Sequence, residues 1–150
     1  VVGVDGTSPV RFNVAVKDYH IAVRHRNHLG GMSAQPLRVS VAERSYDLSD
    51  GSIALEGTAA VKPVGPVEVL WAGDVTFDGI IKYAGIDNDR DPILEAIGGV
   101  IPTNTTSGYR AEDINLDGTV RYTGPENDRD IILQNIGGVV PTNTRSEQLP

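Results

Sequence analysis

The second half of this 150-residue chain contains an internal repeat. Residues 73–105 return as residues 112–144 at a constant offset of 39 positions without a gap, and 19 of the 33 aligned positions are identical. Self-similarity at a fixed period indicates one supersecondary unit that is used twice. We therefore divide the chain into a first domain, residues 1–70, and a duplicated unit, residues 71–150.

Each repeat opens with the pattern of a calcium-binding loop. Aspartate, then threonine or asparagine, then aspartate stand at loop positions 1, 3 and 5, and glycine stands at position 6. Alternate oxygen donors suit Ca²⁺, which takes about six to eight oxygen ligands, and position 7 adds a backbone carbonyl. Glycine permits the positive φ of the sharp bend. The predicted ligands are Asp74, Thr76, Asp78 and Ile80 in the first loop and Asp113, Asn115, Asp117 and Thr119 in the second.

The end of each loop departs from the usual pattern. Lys82 stands at position 9 by counting and cannot bind a cation, so residues 82–87 are interpreted as an insertion. The string Asn-Asp-Arg-Asp follows and predicts a short helix, with Asn88 as its N-cap. The terminal, bidentate ligand is then either the second or the first aspartate of that string. The spacing favours Asp91 and Asp130, and Asp89 and Asp128 are the alternatives.

Two copies of this pattern, each followed by an acidic helix start, favour two calcium ions over a merely Asx-rich turn. Residues 71–150 contain no cysteine or histidine, which disfavours zinc. The two loops differ at position 3, where Asn115 presents a stronger oxygen donor than Thr76. This difference predicts weaker calcium binding in the first loop.

The net charge of −7 is confined to the repeats. Residues 1–70 carry seven basic and seven acidic side chains, whereas residues 71–150 carry six basic and thirteen acidic ones. Bound cations would relieve the self-repulsion of so many carboxylates. The acidic balance also argues against a nucleic-acid partner, which needs a basic stripe. No apolar run approaches the roughly 20 residues of a membrane helix, so no membrane insertion is expected.

The first domain has the pattern of antiparallel strands. Val10, Phe12, Val14 and Val16 alternate with other residues, as do Leu37, Val39 and Val41 and the pair Ile53 and Leu55. Period-2 alternation between turn residues indicates strands, and strands at this spacing are typical of a small β-sandwich. The fold class expected for the whole chain is mostly β with short helices: an antiparallel β-sandwich followed by a duplicated calcium-loop and helix unit.

All three histidines, His20, His25 and His28, lie in this first domain, near Arg24 and Arg26. A zinc site, a contact to an anion or glycan, and a purely structural role are the three interpretations. No nearby carboxylate completes a metal-binding triad in the sequence, which favours the structural role.

The residues Asp74 to Ile97 and Asp113 to Ile136 resemble paired type I dockerin repeats. The stretch from residue 19 to residue 150, with its strings N-D-R-D-x-I-L and T-N-T-R-S-E-Q-L-P, resembles the C-terminal region of large secreted surface proteins of Bacteroidetes, described as haemagglutinin-like or adhesin-like. This resemblance implies calcium binding and a location outside the cell or on its surface. Because the chain begins with Val1, we expect a mature or excised segment.

The function expected is structural. Motifs for a nucleophilic serine, a zinc protease or a phosphate-binding loop are absent from the sequence, so no enzymatic activity is expected. The favoured function is a calcium-stabilised module of an extracellular or cell-surface assembly, which self-associates or binds another surface protein. The apolar opening, residues 1–4, suits strand addition to a neighbouring copy. A dockerin-like docking module and a glycan-binding adhesin are the alternatives.

Overall fold

The computed structural model describes residue 5 and residues 7–150. The chain is mostly β, with short antiparallel strands and two short helices. Residues 1–4, for which strand addition is predicted, lie outside the described residues. The elements are β1 (Asp18–Tyr19), β2 (Ala22–His25), β3 (His28–Met32), β4 (Leu37–Arg38), β5 (Val61–Val64), β6 (Val67–Leu70), β7 (Ile80–Lys82), α1 (Arg90–Ala96), β8 (Thr105–Ser107), β9 (Thr119–Arg121), α2 (Asp128–Asn135) and β10 (Thr144–Ser146).

The predicted β-sandwich of the first domain is not confirmed. In the described part of residues 1–70 the strands pair only in twos: β1 with β4, β2 with β3 and β5 with β6. A sandwich needs two sheets whose inner faces are buried against each other. Leu29 and Ala60 are the only buried hydrophobic residues in that part of the chain, so no such inner face exists there.

The predicted strand at residues 10–16 is likewise not formed. Its four alternating apolar side chains are 39–58% exposed, and residues 9–16 belong to no strand. The alternation is present, but a strand needs a partner, and no neighbouring strand in the described chain offers one. The predicted alternation at Leu37, Val39 and Val41 is a strand only at Leu37–Arg38, and that at Ile53 and Leu55 is reduced to an isolated bridge between Leu55 and Ser33.

The two repeats exchange strands. The strand that closes the first repeat, β8, pairs with β9 of the second, and the strand that closes the second repeat, β10, pairs with β7 of the first. The helices follow the same exchange, since α1 contacts β9 and α2 contacts β7. Neither repeat therefore completes its own sheet, and the two form one interlocked unit.

The hydrophobic core lies at the centre of this interlocked unit. Ile81 in β7 and Val120 in β9 pack with Ile93 in α1 and Ile132 in α2, and all four are fully buried. These are equivalent positions of the two repeats, 39 residues apart. Leu29 of β3 joins the same core.

Both helices end at a pair of glycines. Gly98 has φ +110°, and the N–H of Gly99 donates to the carbonyl of Leu94 at 2.8 Å. A left-handed residue just after the last turn satisfies carbonyls that the helix leaves unpaired. No helix in the described residues is long and apolar enough to cross a membrane.

Candidate metal centres

The first residue of each predicted calcium loop is buried inside its loop. The carboxylate of Asp74 is 2% exposed and accepts the backbone N–H groups of Asp78 at 3.0 Å and Gly79 at 3.1 Å. In the second loop Asp113 accepts those of Asp117 and Gly118, each at 3.1 Å. The loop backbone therefore wraps around this carboxylate in both repeats.

A second buried carboxylate reaches each loop from the start of the helix. In the first repeat this is Asp89, which is fully buried. One of its oxygens accepts both the N–H and the hydroxyl of Thr76 at 3.0 Å, and the other accepts the N–H of Lys82 at 2.7 Å. Asp128 does the same in the second repeat, with the N–H groups of Ile114, Asn115 and Arg121 at 2.7, 3.2 and 2.8 Å.

Asp91 is directed to the helix end instead of the loop. Its N–H donates to the side-chain oxygen of Asn88 at 3.0 Å, and its carboxylate accepts from Asn88 and pairs with Arg90 at 3.0 Å. Asp130 repeats this arrangement with Asn127 and Arg129. The structure thus brings Asp74 and Asp89 to one loop, while Asp91 stays in the first turn of the helix, where Asn88 caps its N–H.

The other predicted ligands lie at the loop surface. Asp78 accepts the N–H of Ile80 at 2.9 Å and pairs with Lys82 at 2.8 Å. Asp117 accepts from Thr119 at 2.8 Å and pairs with Arg121. The position-9 side chains, which cannot bind a cation, therefore hold the position-5 carboxylates.

Asn115, at position 3, accepts the N–H of Asp117 at 2.9 Å and donates to the carbonyl of Glu126 at 2.8 Å.

Open grooves run beside both loops, lined by Thr76, Asp78 and Asp91 in one repeat and by Asn115, Asp117 and Asp130 in the other.

The electrostatics separate the inward from the outward carboxylates. Burial and the neighbouring charge of Asp89 raise the pKa of Asp74 to about 6. Burial also raises the pKa of Asp89, whereas the hydrogen bond from Asn88 lowers the pKa of Asp91. Burial likewise raises the pKa of Asp128, and the hydrogen bond from Asn127 lowers that of Asp130. The inward carboxylates with a raised pKa, Asp74, Asp89 and Asp128, form no ion pair within the described residues.

Backbone strain recurs at equivalent positions of the loops. Phe77 has φ +57° and Leu116 has φ +62°, and Asp87 and Glu126 have φ +54° and +55°. Each non-glycine residue in this region costs about 1–3 kcal/mol and persists only where its surroundings impose it. In the residues described, no three Asp, Glu or His side chains are grouped so as to hold one ion. Each loop instead combines two inward carboxylates with one further side-chain oxygen, the hydroxyl of Thr76 in the first and the amide oxygen of Asn115 in the second. Such an all-oxygen set of donors fits a hard cation.

The turn between β2 and β3 contacts the starts of both loops, which the sequence analysis did not predict. The carbonyl of Asn27 accepts the N–H groups of Gly73 at 2.8 Å and Asp74 at 3.2 Å. Its side-chain amide donates to the carbonyls of Ala111 at 2.9 Å and Asp113 at 2.7 Å. These contacts span 84 and 86 residues, so no local pattern marks them.

Two of the three histidines lie beside Asn27. The Nδ1 atoms of His25 and His28 lie 3.0 and 2.7 Å from its side-chain oxygen. Burial, with the charges of His25 and Arg26, lowers the pKa of His28 to about 4. His20 contacts the carbonyl of Ser33 at 2.7 Å instead of Asn27.

Comparison of the chain with protein-family models, with curated proteins and with solved structures finds no match in any of the three.

Proposed function

We propose that this chain is a non-catalytic, calcium-stabilised structural module of an extracellular or cell-surface assembly. The observation that carries the proposal is the pair of buried carboxylates in each loop, Asp74 with Asp89 and Asp113 with Asp128. Two like charges buried side by side destabilise a fold unless a cation or proton neutralises them. The same pair in both repeats supports two ions, one in each loop. The resemblance to dockerin-like repeats of secreted surface proteins supports the same ion and location.

The ligands we propose for the first ion are Asp74, Thr76, Asp78, the carbonyl of Ile80, and Asp89. Asp89 is assigned as terminal ligand because its carboxylate already lies across the loop, whereas that of Asp91 is held by Asn88 and Arg90. Asp78 would leave its ion pair with Lys82 to bind the calcium ion, and this exchange costs little because an exposed ion pair contributes little to stability. The second ion takes Asp113, Asn115, Asp117, the carbonyl of Thr119, and Asp128.

Thermal unfolding with calcium and with excess chelator tests this proposal. Extracellular calcium modules have Kd values of about 10⁻⁴ to 10⁻³ M. Millimolar calcium would therefore stabilise each site by about 0.5–1.5 kcal/mol. We expect Asp89→Asn to reduce the calcium-dependent rise in melting temperature and the matched control Asp91→Asn to retain it.

Two outcomes would contradict the assignment. Unchanged melting after verified removal of the metal would overturn the calcium proposal itself. Retained calcium binding in Asp89→Asn with loss in Asp91→Asn would leave calcium in place and transfer the terminal role to Asp91.

Self-association is the second part of the proposal. Val10, Phe12, Val14 and Val16 are 39–58% exposed in a segment that belongs to no strand, and every two-stranded sheet leaves open edges. Such edges pair readily with an added strand. A head-to-tail contact of this kind produces rings or filaments. Calcium would favour it by neutralising the acidic repeats.

Light scattering of the intact chain with calcium tests the assembly. We expect scattering to rise with protein and calcium concentration and to remain low in the double variant Phe12→Ser, Val14→Ser. Val41→Ser is the control, because Val41 is 97% exposed but lies outside the segment. A chain that stays monomeric at high concentration with calcium favours the alternative of a docking module. Binding to a glycan array without association would favour the adhesin.

A further inference from the structure

Arg26 lies beside the first carboxylate of the second loop. Its Nη2 atom is 3.6 Å from Oδ2 of Asp113, and the two side chains are 18% and 4% exposed. A pair this well shielded from solvent interacts more strongly than the surface ion pairs elsewhere on the chain. Arg26 comes from the turn between β2 and β3, outside the repeats.

The guanidinium is held in place by several contacts besides the ion pair. Its Nε atom donates to the carbonyl of Arg110 at 2.7 Å, and its carbon lies 3.9 Å from the ring centroid of Tyr109. The adjacent Asn27 is fully buried; its carbonyl accepts from Gly73 and Asp74 at the first repeat, and its amide donates to Asp113 in the second. These contacts fix the position of the Arg26 guanidinium in the absence of a metal ion and keep its charge beside Asp113.

The first loop differs from the second in its ion pairs. Within the described residues, no Lys, Arg or His nitrogen forms an ion pair with Asp74, although Asp74 and Asp113 are equivalent positions of the repeat. The two loops are thus equal in their own residues at position 1 and unequal in what the rest of the chain presents to them.

We propose that Arg26 is a tethered counter-ion that competes with calcium at the second loop, so that the first loop is the one that depends on calcium. This inference rests on the proposed calcium function and concerns its regulation. A fixed positive charge beside Asp113 neutralises that carboxylate without metal and repels an arriving divalent ion. It acts against the preference set by the donors, because Asn115 alone would make the second loop the tighter site.

Calcium titration calorimetry on single-site backgrounds tests the proposal. Asp78→Ala leaves only the second site, and Asp117→Ala leaves only the first. We expect Arg26→Gln to tighten calcium binding about tenfold in the first background, the usual size of coupling between interacting sites, and to change it less than twofold in the second. Arg26→Lys, which keeps the charge, should retain most of the weakening.

Thermal unfolding supplies a readout that does not require calorimetry. In chelator, Arg26→Gln should melt at a lower temperature than the parent chain, and calcium should restore most of the loss. If Arg26→Gln folds only in the presence of calcium, that result also supports the proposal. The control is Arg38→Gln, since Arg38 pairs with Asp18 at 3.2 Å and both residues lie outside the repeats.

The inference is overturned if Arg26→Gln lowers the melting temperature equally with and without calcium and leaves both affinities unchanged, because Arg26 is then only a structural contact. It is distinguished from failure of the proposed function by the parent chain. If the parent chain binds no calcium in calorimetry, the calcium function falls and this inference falls with it.

Discussion

The first repeat, residues 73–105, and the second, residues 112–144, hold their inward carboxylates in the same way but meet the rest of the chain differently. In both, the position-1 aspartate accepts the N–H groups of positions 5 and 6. Within the described residues, only the position-1 aspartate of the second repeat pairs with an arginine, and only the second repeat accepts from the side-chain amide of Asn27. A duplicated sequence therefore yields equivalent loops, and a single turn from outside the duplication makes them unequal.

The largest expected effect tests whether the repeats are one unit. Ile93 and Ile132 occupy equivalent, fully buried positions, so Ile93→Ala and Ile132→Ala should each lower the free energy of unfolding by about 2–5 kcal/mol. Because the strands are exchanged, each variant should unfold in one transition. Val100→Ala and Val139→Ala, at 83% and 84% exposure, are the matched controls. Two separate transitions, observed by calorimetry, would mean that the repeats fold independently.

The next effect sharpens the difference between the loops. Asn27→Ala removes the donor to the carbonyls of Ala111 and Asp113 but keeps the backbone carbonyl that serves Gly73 and Asp74. We expect a loss of about 2–3 kcal/mol, because buried acceptors are left unpaired. Amide hydrogen exchange should accelerate more in the second loop than in the first. Asn143→Ala, a weaker 3.4 Å contact, is the control. Equal acceleration in both loops would contradict the prediction.

A smaller effect concerns pH in the presence of chelator. The pKa of Asp74 is about 6 in the folded chain against an ordinary value of 3.8. The folded state therefore binds more protons between these values, and its stability should fall by about 1–2 kcal/mol as pH rises from about 4 to about 6. Asp74→Asn should flatten this part of the profile measured by urea unfolding. A profile in which stability rises across this range would refute the expectation, and saturating calcium should reverse the slope because calcium needs the ionised carboxylate.

The smallest effect should be equal in the two repeats. Asn88 and Asn127 each accept the N–H of the residue three positions later at 3.0 Å. Replacing either by alanine should cost about 0.5–1 kcal/mol, the usual value of a helix N-cap. Glu95→Ala, on an exposed helix position, should change stability by less than about 0.5 kcal/mol. If the two substitutions differed by more than about 1 kcal/mol in their effect on the free energy of unfolding, the two repeats would be unequal at their helix starts as well as in their loops.

The sequence pattern predicts the structure correctly where residues close in sequence make the stabilising contacts. The position of the two helices follows from the Asn-Asp-Arg-Asp strings and the glycine pairs, because caps and end glycines act within one turn. The same reasoning predicted a strand at residues 10–16, where the alternation is clear. It failed there because a strand also needs a partner, which alternation does not supply.

The sequence by itself determined the 39-residue duplication, the oxygen-bearing residues at alternate positions of each loop, and the mostly β character with short helices. Tertiary structure decided which carboxylate enters the loop, because Asp89 and Asp91 are two residues apart and only the packing of the helix start directs one inward and the other to Arg90. It also decided the exchange of β8 and β10 between repeats and the approach of Arg26 to Asp113. Those contacts join residues far apart in the chain, where shape and burial select the partner and no local pattern records the choice.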